Sequence, residues 1–202
     1  MSVTRKSPAF KLGLTGSIGM GKTTTAAMFA AENIPVWDAD AAVHRLYAQN
    51  GAAVEPVTAL FPEALKDGAI DRTTLKSLIA RDTSALALIE AVVHPMLAAD
   101  RAAFIASATA DLIVLDIPLL FETGTESQLD ATLLVTAPAA LQRARALARA
   151  DMTEAQFNLL LARQMPDAEK RARATHIVET LDLAATTAYV QALIAHIRAV
   201  HA

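Results

Sequence analysis

The sequence predicts an α/β fold, a five-stranded parallel sheet covered by helices on both faces. Three observations carry this expectation. Short apolar runs such as Leu112-Ile113-Val114-Leu115 have the continuous hydrophobicity of strands buried on both faces. Longer alanine-rich runs with helical patterns separate them. A glycine-rich loop, Gly16-Ser17-Ile18-Gly19-Met20-Gly21-Lys22-Thr23, joins the first strand run to the first helical run.

Phe10-Lys11-Leu12-Gly13-Leu14-Thr15 reads as the first strand, and Thr24 to Glu32 reads as the helix that leaves the loop. Ile34-Pro35-Val36-Trp37 is a short second strand. A mostly helical stretch then runs to about Ala110. Roughly 75 residues separate Trp37 from Leu112, whereas a minimal parallel crossover needs about a dozen. The excess predicts a helical region over about 41–110, placed where an acceptor substrate could be held. His94-Pro95 lies within it, and Pro95 should kink or restart its helix. Leu112 to Leu115 is the third strand, Thr132 to Thr136 the fourth and His176 to Glu179 the fifth, with a closing helix from about Leu183 to Val200. Thr153-Glu154-Ala155-Gln156 has the form of a capping box.

Composition narrows the function classes. The chain has 202 residues, is 53% hydrophobic and carries a net charge of −3. That suffices for one domain with a proper core, and no basic stripe points to nucleic acid. The absence of cysteine excludes disulfides and thiolate metal sites. No apolar run approaches the ~18 residues of a membrane span. The short stretch after Arg5 and Lys6 runs straight into the glycine loop, unlike a removable signal. A cytoplasmic protein, monomeric or weakly self-associating, with no nucleic-acid or membrane partner, is the expectation.

The loop fits G-x-x-x-x-G-K-[ST], the phosphate-binding P-loop, between a strand and a helix. Glycines let several N–H groups converge on one anion, and the helix start adds partial positive charge. Lys22 can reach the β- and γ-phosphates, and the Thr23 hydroxyl can ligate Mg²⁺. Asp38-Ala39-Asp40 follows the second strand, where doubly wound sheets bind ligands. Either carboxylate could accept a proton in phosphoryl transfer, and Asp40 could instead cap the helix beginning at Ala41. Asp116 closes the third strand, where it could stand near Mg²⁺. Gln142, Arg145 and Arg149 recur at spacings of three and four, on one helical face. Arginine exceeds acid from Leu141 to Arg173, which suggests a lid over a triphosphate, because the guanidinium fork clamps phosphate oxygens.

Taken together, these residues resemble the dephospho-CoA kinase family. Leu14-Thr15 leading into the loop, Asp38-Ala39-Asp40, Asp67-Gly68-Ala69-Ile70-Asp71-Arg72-Thr73-Thr74-Leu75 and His94-Pro95 match its motifs. So do Asp116-Ile117-Pro118-Leu119-Leu120-Phe121-Glu122, the lid pattern Gln142, Arg145, Arg149, and the later Gln164. Three departures stand out: Ser17 replaces a common glycine, Thr23 a common serine, and Thr175 and Thr180 replace an aspartate and an asparagine near the last strand. An adenine contact at Thr180 would then be made by backbone.

The resemblance implies a P-loop kinase with strand order 2-3-1-4-5. Its core would span about 1–40, 111–140 and 174–202, with a helical substrate region over about 41–110 and a lid over about 141–173. It implies transfer of the γ-phosphate of ATP to the ribose 3′-hydroxyl of dephospho-CoA. Gly19, Met20, Gly21, Lys22, Thr23 and Thr24 would grip ATP, with Arg145 and Arg149 closing over it. Lys22 and Arg145 would stabilise the migrating group, Thr23 and Asp116 would hold Mg²⁺, and Asp40 would be the base. His94, Leu119 and Phe121 would line the acceptor side. A GTP-driven switch is a poor match: no asparagine precedes lysine, and no glycine follows an aspartate by three residues. Another small-molecule P-loop kinase remains the alternative, separable by a panel of acceptors.

Overall fold

The computed structural model describes residues 8–150 and 152–201. β1 (Phe10–Thr15) leads through the glycine loop into α1 (Lys22–Ala31) and β2 (Val36–Asp38). There follow α2 (Ala39–Tyr47), α3 (Val54–Leu60), β3 (Leu65–Lys66), β4 (Ala69–Ile70), α4 (Arg72–Arg81) and α5 (Ser84–Ser107). The chain continues as β5 (Leu112–Asp116), β6 (Ala131–Thr136), α6 (Ala139–Leu147), α7 (Glu154–Ala162) and α8 (Asp167–Arg173). β7 (His176–Glu179) and α9 (Leu183–His201) close it. Two compact units divide these elements. One comprises the chain up to Trp37 and from Ala108 onward, and the other is Asp38–Ser107.

In the first unit the sheet order is β2-β5-β1-β6-β7. Counting sheet strands alone, that is second, third, first, fourth, fifth. β1 pairs in parallel with β5 and β6, and β6 with β7. The Val114 N–H donates to the Pro35 carbonyl at 2.9 Å, which joins β2 to β5. All residues of β5 and β6 are buried, as their unbroken hydrophobicity requires of strands with both faces covered. Leu12, Leu14, Phe29, Val114, Leu133 and Ile194 belong to one core cluster, and each such side chain taken from water stabilises by about 1.5–3 kcal/mol.

The last helix corrects one expectation. At 19 residues and a mean hydropathy of 1.2, α9 is long and apolar enough to cross a membrane by length and composition. Its apolar face has another use. Thr186, Val190, Leu193, Ile194 and Ile197 are buried at helical spacing, and four of the five belong to the core cluster with β1 and β6. In the sequence, Gln191, His196 and Arg198 interrupt the run.

The second unit has its own core, built on Leu46, Val57, Ile70, Leu75, Ile89 and Val93. It is not wholly helical. Asp67 and Gly68 both have positive φ, 52° and 78°, which permits the tight turn between antiparallel β3 and β4. Asp-Gly was the available signal, but the flanking strands of two residues each gave no alternation to read. Pro95 lies inside α5, which continues as one 24-residue element across it rather than restarting. Arg45 on α2 and Asp100 on α5 are joined at 2.7 Å.

Candidate active site

The glycine loop is shaped by close approaches that a side chain would prevent. A Cβ on Gly16 would lie 2.6 Å from the Val135 carbonyl oxygen, and one on Gly19 would lie 2.5 Å from that of Gln142. Gly19 and Gly21 have φ of 77° and 96°, in the left-handed region where a Cβ is costly. Gly21 is the N-cap of α1 and no side chain caps that helix. By contrast Asp38, Asp71 and Thr153 cap α2, α4 and α7 with side-chain oxygens. The N–H groups of Gly21, Lys22, Thr23 and Thr24 therefore have no intrahelical acceptor. Four such donors at a positive helix end are suited to an anion.

Register places Asp116 beside this loop. Asp116 ends β5 opposite Leu14 of β1, one residue before Thr15. The Thr15 hydroxyl donates to the Pro118 carbonyl at 3.1 Å, which fixes the chain leaving β5. Lys22 Nζ stands 2.5 Å from Asp116 Oδ1, with side-chain exposures of 15% and 2%. Thr23, in the first turn of α1, is exposed. The lysine does not simply project towards solvent: its charge balances a buried carboxylate.

A cavity of about 400 Å³ opens beside the loop. Gly19, Gly21, Thr24, Arg145, Arg149 and Thr180 line its polar side, and Met28, Leu181 and Leu183 contribute apolar surface. Arg145 donates to the Thr180 hydroxyl at 2.8 Å and to the Thr180 carbonyl at 2.6 Å. The Thr180 hydroxyl in turn donates to the Met20 carbonyl at 2.7 Å. Thr180 is thus a junction between Arg145 and the loop, a role the sequence did not assign it. Asp182 also lines the cavity, and nothing local in the sequence marks it. Arg149 reaches the same cavity from just beyond the end of α6, so it continues the helical face only approximately.

Most of the cations between Leu141 and Arg173 have protein partners. Arg143 pairs with Glu154, and Arg171 with Asp167 and Glu179. Arg173 pairs with Glu126 and its guanidinium carbon stands 5.3 Å from the Phe121 ring centroid. Lys170, fully buried, lies 2.9 Å from Glu122. Burial raises the Glu122 carboxyl, but the Lys170 ammonium beside it and the hydrogen bond from the Met165 amide outweigh that and hold the group below its ordinary value. The Thr136 hydroxyl donates to Asp167 at 2.9 Å. These bonds fasten α8 to the sheet, so the arginine excess that suggested a lid divides into two kinds. Arg145 and Arg149 face the cavity, and α8 is anchored. The capping box at Thr153 opens α7, with both reciprocal bonds present.

The residues expected on the acceptor side separate as well. Leu119 is 42% exposed and offers contact area, whereas Phe121 is 2% exposed. Phe121 is therefore a packing residue under Arg173 rather than a lining one. In the second unit, Asp40 is exposed in the first turn of α2 and His94 is exposed on α5. Asp38, not Asp40, caps α2, accepting from the Ala41 N–H at 2.9 Å. The helix starts at Ala39, two residues earlier than expected, which leaves Asp40 without a capping duty.

Known proteins match this arrangement. The family described as dephospho-CoA kinase matches residues 10–184. A dephospho-CoA kinase from Cereibacter sphaeroides is 69% identical, over 94% of this chain and 96% of its own. One from Ruegeria pomeroyi is 56% identical over the same shares. A crystal structure from Thermus thermophilus superposes with a TM-score of 0.83 at 36% identity, covering 94% of this chain and 98% of that one. The solved structure of dephospho-CoA kinase from Campylobacter jejuni shares the fold, with a TM-score of 0.66 at 20% identity over 95% of this chain and 98% of that one. The glycine loop, the Lys22–Asp116 pair and the motifs from Asp38 to Gln164 lie within the matched range, and the chain belongs to the dephospho-CoA kinase family.

Proposed function

We infer that this protein transfers the γ-phosphoryl group of ATP to the ribose 3′-hydroxyl of dephospho-CoA, yielding coenzyme A and ADP. The observation that carries the nucleotide half is the uncapped start of α1, with Gly21 in the left-handed region and Lys22 and Thr23 in the first turn. The acceptor rests on family membership.

In this reading the free N–H groups of the loop hold the β- and γ-phosphates. Lys22, drawn from Asp116 toward the phosphates, offsets charge on the migrating group as the bond from phosphorus to the β–γ bridging oxygen breaks. Arg145 and Arg149 line the cavity that takes the rest of the nucleotide, with Met28, Leu181 and Leu183 supplying apolar surface for the adenine ring. The two arginines cover the triphosphate and keep water from it. Asp40 takes the proton of the 3′-hydroxyl as the new oxygen–phosphorus bond forms, a contribution of ~10²–10⁴ in rate. Leu119 and His94 contact the acceptor.

Mg²⁺ fits the donor set. The exposed Thr23 hydroxyl and the Asp116 carboxylate are hard oxygen ligands beside the phosphate loop, and Mg²⁺ is ordinarily held by one or two such groups with phosphate and water. When bound it neutralises phosphate charge. Release of ADP on mixing enzyme, ATP, Mg²⁺ and dephospho-CoA tests the assignment. Equal turnover with unrelated alcohols, or none with dephospho-CoA, would reject the acceptor.

A further inference from the structure

Two glutamines hold opposite faces of one residue in the phosphate loop. Gln142 Nε2 on α6 donates to the Ile18 carbonyl at 2.9 Å, and Gln164 Oε1, just after α7, accepts from the Ile18 N–H at 3.1 Å. The chemistry of Ile18 sets the polarity of both amides, because a carbonyl needs a donor and an N–H an acceptor. Gln142 is 5% exposed, so its amide is committed to this contact. Its own backbone carbonyl oxygen lies 2.5 Å from where a Cβ on Gly19 would be, so α6 packs against two consecutive loop residues. Gln164 is positioned in turn by its neighbour: the Met165 N–H donates to Glu122 at 2.8 Å.

We propose that Gln142 and Gln164 are positioning residues that clamp the Ile18 peptide units and so hold the loop in its phosphate-binding shape. This rests on the loop binding nucleotide. Neither glutamine is among the residues that line the cavity beside the loop. With Ile18 fixed on both sides, the N–H groups from Gly21 to Thr24 converge before nucleotide arrives, so binding loses little to ordering. The clamp also joins the two ends of the 142–164 segment to the loop at one residue, so a change in that segment alters phosphate affinity.

The test uses the asymmetry of the two bonds. Gln164→Glu keeps an acceptor for the Ile18 N–H, whereas Gln142→Glu sets a carboxylate against the Ile18 carbonyl. The two variants add the same charge with almost no change of shape, but a carboxylate at the buried Gln142 also loses more hydration than one at Gln164, so bond polarity is read from Gln142→Met as well. Gln142→Met removes the donor without charge and guards against misfolding of Gln142→Glu. Affinity for a fluorescent ADP analogue and the kcat and KM values for ATP and dephospho-CoA are measured on folded protein. Gln142→Glu and Gln142→Met are expected to bind nucleotide roughly 10- to 100-fold more weakly than Gln164→Glu, with KM for dephospho-CoA unchanged, the loss expected when a buried carbonyl loses its donor. Equal affinities for Gln142→Glu and Gln164→Glu, or wild-type affinity in Gln142→Met, would overturn the clamp. Nucleotide binding is read without the acceptor, so the clamp is judged even if dephospho-CoA proves the wrong substrate, and wild-type turnover of dephospho-CoA separately tests the function.

Discussion

Replacing Lys22 with methionine deletes the ammonium and keeps most of the aliphatic stem. The charge removed stands 2.5 Å from Asp116, whose side chain is 2% exposed. Breaking a buried pair from one side costs about 3–5 kcal/mol, because the remaining charge stays in a poor dielectric. Lys22 keeps 15% exposure, so water relieves part of the loss and the lower end, about 3 kcal/mol, is expected. At roughly 2–4 °C per kcal/mol for a chain of this size, the thermal midpoint should fall by about 6–12 °C. Turnover should vanish in the same variant. The double variant Lys22→Met with Asp116→Asn removes both charges of the pair and should recover most of the midpoint while staying inactive. Thermal unfolding of the three proteins beside the wild type, with ADP release measured on each, separates the structural and chemical roles. A single variant that keeps its midpoint within about 2 °C of wild type would refute the buried-pair account, and an active double variant would remove Lys22 from the chemistry.

Asp40→Asn is expected to lower kcat by ~10²–10⁴ with little change in KM for ATP, and Asp38→Asn to do much less, because asparagine preserves the α2 cap; the reverse ranking in steady-state kinetics would exchange their roles. An ATP analogue should increase hydrogen-exchange protection between residues 148 and 162 more than in α8, which Asp167–Thr136 and Lys170–Glu122 already fasten; equal change in both would count against a partial lid. His176 is held below its ordinary value of 6.5, first by burial and then by His196 beside it. Its contribution to stability is therefore present above about pH 6.5 and lost as pH falls through the lowered value, since the unfolded chain binds the proton more readily. Thermal midpoints of wild type and His176→Gln between about pH 7.5 and pH 5 should converge at the acid end, and parallel curves would deny the histidine that role.

Much of the sheet could be read because its signals are local. Continuous apolar runs located β5 and β6, and a complete loop motif between a strand and a helix located the glycine loop at the start of α1. Partnership was harder to read. A lone arginine has the same sequence signature whether it meets a triphosphate or Glu179, so the excess over 141–173 suggested more lid than the packed α8 allows. The capping role fell to Asp38 rather than Asp40 because two capping residues stood two positions apart and only the backbone chose between them. Phe121 was expected beside the acceptor, yet its ring is buried, a distinction fixed by the long-range contact with Arg173. Thr180 joins Arg145 to the Met20 carbonyl across more than 150 residues of chain, and no local pattern announces such a contact.

Coupled ADP release with dephospho-CoA as acceptor tests the central claim most directly. ATP and Mg²⁺ with wild-type protein should give ADP in step with coenzyme A, and little ADP when the acceptor is absent. ADP formed at the same rate without dephospho-CoA, or no coenzyme A formed with it, would contradict the account.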